Sequence, residues 1–279
     1  MTTGVDFVGV GAQRSGTSWL YACLYEHPGI CAPIKELHFF SRERNYDRGL
    51  GWYLGHFDRC PPGSVRGEFS TSYLYAAEAA GRIHAAFPEA RILMSLRNPV
   101  ARAYSQYRNA IVAGEIRKGT SFAAYVRTDE SVLGQGFYHD QVRRYLETFG
   151  AVLVLVLDDA EHDRAAFVRG VYEFLGVDPS FRPTMLDRSV NASRTPVVVG
   201  VDRAMNRVGD VLRGAGLDRL VWWVKRSGVP QRLRRLNTGR DRETLEDAEP
   251  LELAATFRDD AARLSELLGR DLVALWGLE

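Results

Sequence analysis

The amino-acid sequence predicts an α/β fold of three layers, with a central, mainly parallel sheet flanked by helices. Short apolar runs typical of strands covered on both faces occur at residues 6–10, 91–96 and 151–157. Helical patterns lie between these runs, and strands that alternate with helices form parallel sheets. With 279 residues, 46% of them hydrophobic, the chain has the composition of an enzyme-sized globular protein. We therefore expect a single domain over residues 1–279.

The first strand leads through a glycine-flanked turn, GAQRSGTSW at residues 11–19, into a helix. Glycines let backbone N–H groups turn toward an anion, and the N-terminus of a helix adds partial positive charge. The spacing nearly matches the GxxxxGK[ST] phosphate loop, but Thr17 replaces the lysine and Arg14 supplies a cation earlier. Thr17 and Ser18 add hydroxyl donors. The sequence thus predicts a P-loop-like fold with an anion-binding loop.

The helices are predicted from their boundary residues. An alanine-rich helix over residues 76–87 ends at Pro88, and Pro99 begins a helix that reaches about residue 112. Residues 251–268 have the pattern of an amphipathic helix. Further helix ends are predicted at Gly150, Gly176 and Gly269.

A second candidate anion site follows the strand at residues 91–96. Arg97 leaves this strand just before the helix that begins at Pro99, and Ser105 lies two turns into that helix. A guanidinium provides planar, bidentate donors for phosphate, and a serine hydroxyl adds one more. Ligands of parallel α/β sheets bind beyond the carboxyl ends of the strands. We therefore expect Arg97 and Ser105 to hold a phosphate near the first loop.

Composition narrows the possible partners. A net charge of +1 argues against bulk binding of nucleic acid. No signal peptide and no run long enough to span a membrane is evident, so a cytoplasmic location is expected. Cys23, Cys31 and Cys60 form no CxxC pair, and we expect buried or reduced thiols rather than a metal site.

Five elements together resemble a known family. They are the first loop with Trp19, the KELHFF stretch at 35–40, the SLRNPVARAYSQY stretch at 95–107, FLGV at 174–177 and the closing LLGRDLVALW. In this order they resemble sulfotransferases that use 3′-phosphoadenosine 5′-phosphosulfate (PAPS), with a nearer likeness to heparan sulfate sulfotransferase domains and their bacterial relatives. The likeness covers about residues 5–200 and the last 25 or so.

The resemblance implies a donor site in two parts. The first loop would hold the 5′-phosphosulfate, Arg97 and Ser105 the 3′-phosphate, and Trp19 the adenine, although Trp19 is also compatible with a core position. Arg194 lies where relatives bring another basic loop to the 3′-phosphate. The residues assigned to the donor are Gln13, Arg14, Ser15, Gly16, Thr17, Ser18, Trp19, Arg97, Ser105 and Arg194.

The resemblance also implies catalytic roles. A glutamate at the position of Glu36 acts as general base in the heparan-type relatives, and a basic residue at that of Arg14 meets the bridging oxygen. An arginine stays charged, so Arg14 would stabilise the leaving oxygen electrostatically. His38 is the rival base because histidine titrates near neutrality, and Lys35 would orient the glutamate or contact the donor. No catalytic metal is required, and the product is adenosine 3′,5′-bisphosphate (PAP).

Two features leave the acceptor open. Phe69 stands where the heparan-type relatives have a lysine, which puts a sulfated polysaccharide in doubt. A basic segment at about 202–242 has the pattern of short amphipathic helices, and we expect a helical insertion that would cap the acceptor site, touch an anionic lipid-linked substrate at a membrane surface, or present a solvated face. The acceptor would be a glycan, a lipid-linked glycan or a small molecule with a hydroxyl or amine.

Two other function classes stay open. One is a P-loop kinase, because the apolar strand that ends in Asp158 and Asp159 resembles a magnesium-binding strand. The other is a noncatalytic nucleotide-binding protein, since fold alone does not establish activity.

Overall fold

The computed structural model describes residues 4–117, 119–187, 195–196, 238–239 and 250–279. The chain forms two compact units, one of residues 1–102, 133–190 and 252–279 and the other of residues 103–132 and 191–251. The basic insertion expected at about 202–242 lies outside the described residues, apart from 238–239. The single domain over residues 1–279 stays a prediction.

The first unit contains a five-stranded parallel sheet with the strand order β2-β3-β1-β4-β5. The strands are β1 (Phe7–Gly11), β2 (Ile30–Cys31), β3 (Val65–Phe69), β4 (Arg91–Leu96) and β5 (Val152–Val156). The three strands expected from the apolar runs agree with β1, β4 and β5 to within one residue at each end. The prediction of a parallel α/β sheet is confirmed.

The helices lie where the sequence pattern places them, with several short additions. They are α1 (Thr17–Glu26), α2 (Glu43–Tyr46), α3 (Gly49–Leu54), α4 (Ala79–Ala86), α5 (Pro99–Ala113), α6 (Phe122–Thr128), α7 (Glu130–Gly134), α8 (Tyr138–Thr148), α9 (Leu157–His162), α10 (Arg164–Leu175), α11 (Pro250–Leu268) and α12 (Leu272–Trp276). A 3₁₀ turn at Gly55–Phe57 follows α3.

Helix ends follow the chemistry of capping. Asp163 and Asp271 accept hydrogen bonds from backbone N–H groups at the starts of α10 and α12. Gly176 and Gly269, with φ of 73° and 64°, take the left-handed conformation after α10 and α11. The helix end expected at Gly150 comes two residues earlier, because α8 ends at Thr148 and Phe149, in extended conformation, is its C-terminal cap.

Both faces of the sheet are covered by apolar side chains. Along β1, Val8 and Val10 belong to one buried cluster, whereas Phe7 belongs to a second. Along β4, Ile92 joins the first cluster and Leu93 the second. Successive residues of a strand point to opposite faces, so the two clusters lie on opposite sides of the sheet. This gives the three layers that the sequence predicts.

The described part of the second unit is small. Strand β6 (Thr195–Pro196) pairs antiparallel with β7 (Thr238–Gly239). An aromatic cluster joins α5 to α6, with the rings of Tyr107 and Phe122 centred 5.5 Å apart. The Tyr107 hydroxyl donates to the Thr120 carbonyl at 2.7 Å, which ties residue 120 to α5.

The cysteines differ from expectation. Cys31 and Cys60 form a disulfide that joins β2 to the segment after the 3₁₀ turn, with Cα atoms 5.6 Å apart. Only Cys23 matches the expected buried thiol, and burial raises its pKa to about 12. The expectation failed because the two partners, 29 residues apart, are brought together only by the fold.

Candidate active site

The site lies at the carboxyl edge of the sheet, where segments leave three adjacent strands. The loop at residues 11–16 follows β1, the segment at 70–74 follows β3, and Arg97 follows β4. Backbone hydrogen bonds join the first two, because Ser70 N donates to Gly9 O at 2.9 Å and Leu74 N to Val10 O at 2.8 Å. The residues after β3 therefore lie alongside the start of the loop.

The loop is held in shape by its neighbours. Gly16 has a φ of 74°, a conformation that favours glycine, and a Cβ there would come within 2.5 Å of Leu157 Cδ1, which would have to move aside. Ser15 is fully buried, and its carbonyl accepts a hydrogen bond from Ser95 Oγ at 2.8 Å. Helix α1 begins directly after Gly16. Its first N–H groups lack helical acceptors and can bind an anion.

Three arginines concentrate positive charge at this loop. Arg97 Nη1 donates to the Arg14 carbonyl at 3.4 Å, and Arg102 is fully buried. The pKa of Arg14 is lowered first by burial and then by the charges of Arg97 and Arg102. Like charges that repel one another in a partly buried site are stabilised by an anion. The arrangement thus agrees with the predicted anion site, and it brings Arg14 and Arg97 together.

Glu36 is placed beside this loop by the segment after β3. Its backbone N–H donates to Phe69 O at 2.8 Å, and its φ of 61° is unusual for a residue other than glycine. Its carboxylate accepts hydrogen bonds from both the N–H and the hydroxyl of Thr71, each at 3.1 Å. Lys35 Nζ contacts the same carboxylate. This contact is compatible with one of the two roles expected for Lys35, that of orienting Glu36, and the role stays a prediction.

Several opposing effects set the charge of Glu36. Burial by itself would raise the pKa of this carboxyl, but the charges of Lys35 and His38 and the hydrogen bonds from Lys35 and Thr71 outweigh it. The net pKa is below the ordinary value of 4.5. Glu36 is thus ionised at neutral pH and can accept a proton.

His38 is the second titratable group at this site. Its Nε2 lies 3.4 Å from Glu36 Oε2, and its Nδ1 lies 2.7 Å from Ser72 Oγ. Ser41 Oγ is 2.6 Å from the same Ser72 Oγ. The ring is therefore positioned by hydroxyls on one side and faces the Glu36 carboxylate on the other.

With this geometry established, the chain was compared with known proteins. A family model described as the sulfotransferase domain matches residues 5–196, more than half of the chain. The chain belongs to the sulfotransferase family. The prediction of a sulfotransferase family member is confirmed.

Individual relatives agree with this assignment. A sulfotransferase from Alicyclobacillus acidocaldarius is 28% identical, with 98% of each chain covered and a TM-score of 0.69. Mouse heparan sulfate glucosamine 3-O-sulfotransferase 6 is 40% identical over 102 residues, which cover 37% of this chain and 29% of that protein. Human bifunctional heparan sulfate N-deacetylase/N-sulfotransferase 3 is 29% identical over 202 residues, which cover 63% of this chain and 22% of that protein. The chain spans less than a third of these last two relatives.

The other residues that were expected to bind PAPS differ in how exposed they are. Gln13 is exposed, Ser18 is half-buried, and Thr17 is buried at the start of α1. Ser105 lies on α5 in the second unit, so its role at the 3′-phosphate stays a prediction. Arg194 lies outside the described residues.

Trp19 occupies a core position in the described structure. It is 7% exposed, and its Nε1 donates to the Met185 carbonyl at 3.0 Å. Its ring centre lies 5.9 Å from that of Phe167. This setting matches the core alternative, and stacking on adenine stays a prediction.

Phe69 lies on the opposite face of β3 from its neighbours in sequence, Glu68 and Ser70. It is fully buried in the second apolar cluster, and a Cβ on Gly9 would come within 2.2 Å of its ring. Glu68 and Ser70, its neighbours in sequence, point to the side of Glu36 and His38. Phe69 therefore supplies core packing here, in place of a charge.

Sequence reasoning missed some of the residues that build this site. Thr71 was not among the residues assigned to the site, yet it holds Glu36. The available signal was the run of polar residues in EFSTSY, from Glu68 to Tyr73, at the end of a strand. An acid that is buried in a strand needs hydrogen-bond partners, and the nearby hydroxyls can supply them.

The acidic pair after β5 does not resemble a magnesium site in three dimensions. Asp159 receives two hydrogen bonds from Arg270, at 2.6 and 2.7 Å, and Asp158 accepts one from Trp276 Nε1 at 3.3 Å. Both carboxylates thus anchor the segment from α11 to α12, which removes the observation that favoured a kinase.

Proposed function

We propose that this sulfotransferase transfers a sulfuryl group from PAPS to a hydroxyl or amine acceptor, with Glu36 as general base. The observation that carries the proposal is the ionised Glu36, held by Thr71, at the same sheet edge as the arginine-bearing loop. A base and an anion site at one edge are what sulfuryl transfer from a phosphosulfate requires.

The donor is bound through its charges. The 5′-phosphosulfate fits the loop at residues 11–16, where backbone N–H groups at the start of α1 and the Arg14 guanidinium favour an anion. Arg97 is positioned for the 3′-phosphate, with Ser105 and Arg194 as further expected contacts. An occupied site relieves the repulsion among the arginines, so binding PAP or PAPS should stabilise the fold.

The reaction is a single in-line displacement. The acceptor oxygen or nitrogen forms a bond to sulfur as its proton passes to Glu36, and the bond between sulfur and the bridging oxygen breaks. The electron pair of that bond stays on the 5′-phosphate of the departing PAP. Arg14 stabilises this charge without giving up a proton, because a guanidinium stays protonated.

His38 assists the base in this proposal. Its ring, 3.4 Å from the Glu36 carboxylate, carries a charge that lowers the pKa of Glu36 and so keeps this carboxylate ionised until the proton arrives, and Lys35 keeps the carboxylate oriented. The resemblance to the heparan-type relatives supports assigning the base to Glu36, and the two hydrogen bonds from Thr71 support it further because they hold the carboxylate at the sheet edge.

The acceptor class is a glycan or a small molecule. The mouse and human relatives are named for heparan sulfate, which supports trying a glycan first, whereas Phe69 replaces a lysine with a buried ring. Among the described residues, none of the helices combines the length and apolarity needed to cross a membrane. The cytoplasmic location and contact with a membrane surface stay predictions.

The donor half of the proposal is tested by thermal unfolding. Purified protein is heated with PAP, with ATP and Mg²⁺, and with neither. We expect PAP to raise the unfolding temperature more than ATP and Mg²⁺. Stabilisation by ATP and Mg²⁺ alone would refute the PAPS assignment.

The catalytic half is tested with ³⁵S-labelled PAPS and two probe acceptors, heparan sulfate and 2-naphthol. Glu36→Gln should bind PAP as the unaltered protein does, while turnover of the active probe falls about 100-fold or more. Glu43→Gln is the matched control, since Glu43 is exposed and pairs with Arg82 away from the site. Normal turnover in Glu36→Gln would transfer the base role to His38.

A further inference from the structure

Beneath Glu36 and His38 lies a second glutamate that the reaction itself does not use. Glu68 is on β3, fully buried. Ser70 Oγ donates to its Oε2 and Tyr73 OH donates to its Oε1, each at 2.6 Å. An isolated buried carboxylate is strongly unfavourable, so these two hydroxyls are needed to hold it.

The same two hydroxyls hold the backbone that carries the proposed base. His38 N–H donates to Ser70 Oγ, and Phe39 N–H donates to Tyr73 OH, each at 2.9 Å. His38 has a φ of 53° and Glu36 a φ of 61°, conformations that persist only where the surroundings enforce them. We refer to residues 35–39 as the Glu36 turn.

The direction of each hydrogen bond requires an acceptor at Glu68. A hydroxyl has one hydrogen, and when it donates that hydrogen to a carboxylate, its lone pairs are free to accept from a backbone N–H. Ser70 and Tyr73 both follow this pattern. A neutral group at Glu68 that brought its own hydrogen would reverse one of the two hydroxyls and weaken its bond to the turn.

We infer that Glu68 is a positioning residue, whose buried carboxylate fixes the Glu36 turn through Ser70 and Tyr73 and thereby aims Glu36 at the acceptor. The inference rests on the proposed function, because that function assigns the base. Glu68 itself contacts neither donor nor acceptor in this mechanism. It acts on the backbone of residues 38 and 39.

The burial of Glu68 supports this role, because a buried carboxylate depends on its hydrogen-bond donors. It raises the pKa of Glu68 to about 7, against the lowering effect of the hydrogen bonds from Ser70 and Tyr73, and the charge of Glu36 raises it further. Tyr53, also fully buried, borders the same carboxylate, and burial followed by the charge of Glu68 raises its pKa. A carboxylate in such a place forms only with strong donors.

The test uses Glu68→Gln, which keeps the shape of the side chain but replaces one acceptor oxygen with an NH₂ donor. The readouts, all taken at pH 8 so that Glu68 is ionised in the unaltered protein, are amide hydrogen exchange measured by mass spectrometry, PAP affinity by calorimetry, and steady-state turnover of the active probe acceptor. We expect exchange in residues 36–40 to become at least tenfold faster, with the loop at residues 11–16 unchanged. The kcat should fall at least tenfold with the KM for PAPS unaltered.

Tyr172→Phe is the matched control, because it removes a buried tyrosine hydroxyl that donates to the Cys23 carbonyl in the second apolar cluster, away from the Glu36 turn. It should leave exchange in residues 36–40 and kcat unchanged. Should Glu68→Gln fail to fold, Ser70→Ala and Tyr73→Phe each remove one link, and each should speed exchange in the turn.

Unchanged exchange and kcat in Glu68→Gln, or in both single-link variants, would overturn the inference. Faster exchange spread over the whole first unit would do so as well, since it would indicate a general loss of stability. Failure of the proposed function would show differently, as full turnover in Glu36→Gln.

Discussion

The buried Glu68 should make the stability of the first unit depend on pH in a specific way. Its pKa is about 7 in the folded chain, against an ordinary value of 4.5, and burial is the main cause. The folded state therefore keeps this proton to higher pH than the unfolded state. The associated stability is fully present below pH 4.5 and is lost as pH rises through 7.

The size of the effect follows from the shift. Each pKa unit corresponds to about 1.4 kcal/mol, so the wild type should lose about 2 to 3 kcal/mol relative to Glu68→Gln between pH 5 and pH 8. Glutamine is neutral throughout this range and contributes no such slope. Glu36, whose pKa is lowered, titrates below the range and leaves the difference between the two chains unaffected.

Urea denaturation of both chains at pH 5, 6, 7 and 8 measures this difference directly. Glu43→Gln, at an exposed position, should parallel the wild type at every pH. If the free-energy difference between wild type and Glu68→Gln stays constant within about 0.5 kcal/mol across the series, Glu68 does not titrate there, and the reasoning about its burial is wrong.

Three further outcomes are expected. Arg97→Ala should weaken PAP binding in calorimetry by about 2 kcal/mol, through loss of a charged phosphate contact, and unaltered affinity would remove Arg97 from the donor site. Replacing Cys31 and Cys60 by serine should lower the free energy of unfolding by about 3 to 4 kcal/mol, because the disulfide closes a loop between residues that are 29 positions apart. Equal stability of the unaltered protein with and without reductant would contradict this. Arg270→Ala should destabilise the first unit by about 1 to 2 kcal/mol, since two charge-assisted bonds to Asp159 are lost, and Arg263→Ala, at a more exposed pair, should cost less.

Much of the sheet could be predicted from the sequence because its strands are covered on both faces. Continuous apolar runs mark β1, β4 and β5, and Pro99 and Gly176 mark helix boundaries that the structure confirms. Strand β2 has only two residues and carries no periodic signal. The disulfide was missed for a related reason, since spacing along the chain does not show which cysteines the fold brings together.

In the candidate site, too, local features could be predicted from the sequence, whereas contacts between distant residues could not. Glycine spacing and the position of Arg14 predict an anion loop, because that function depends on local backbone geometry. The position of Glu36 depends instead on hydrogen bonds from Thr71, 35 residues away, and on the buried carboxylate of Glu68. Contacts of this kind arise only when β3 is paired beside β1, so no local pattern at Glu36 could disclose them.

The buried acid also explains why the turn can hold strained backbone. Two residues other than glycine at positive φ, Glu36 and His38, each cost about 1 kcal/mol or more. Local sequence offers no glycine to relieve that cost, so the stabilisation must come from distant groups. The hydrogen bonds from His38 and Phe39 to hydroxyls tied to Glu68 supply it. The buried Glu68 carboxylate thus acts next to the proposed base by holding the backbone of residues 38 and 39.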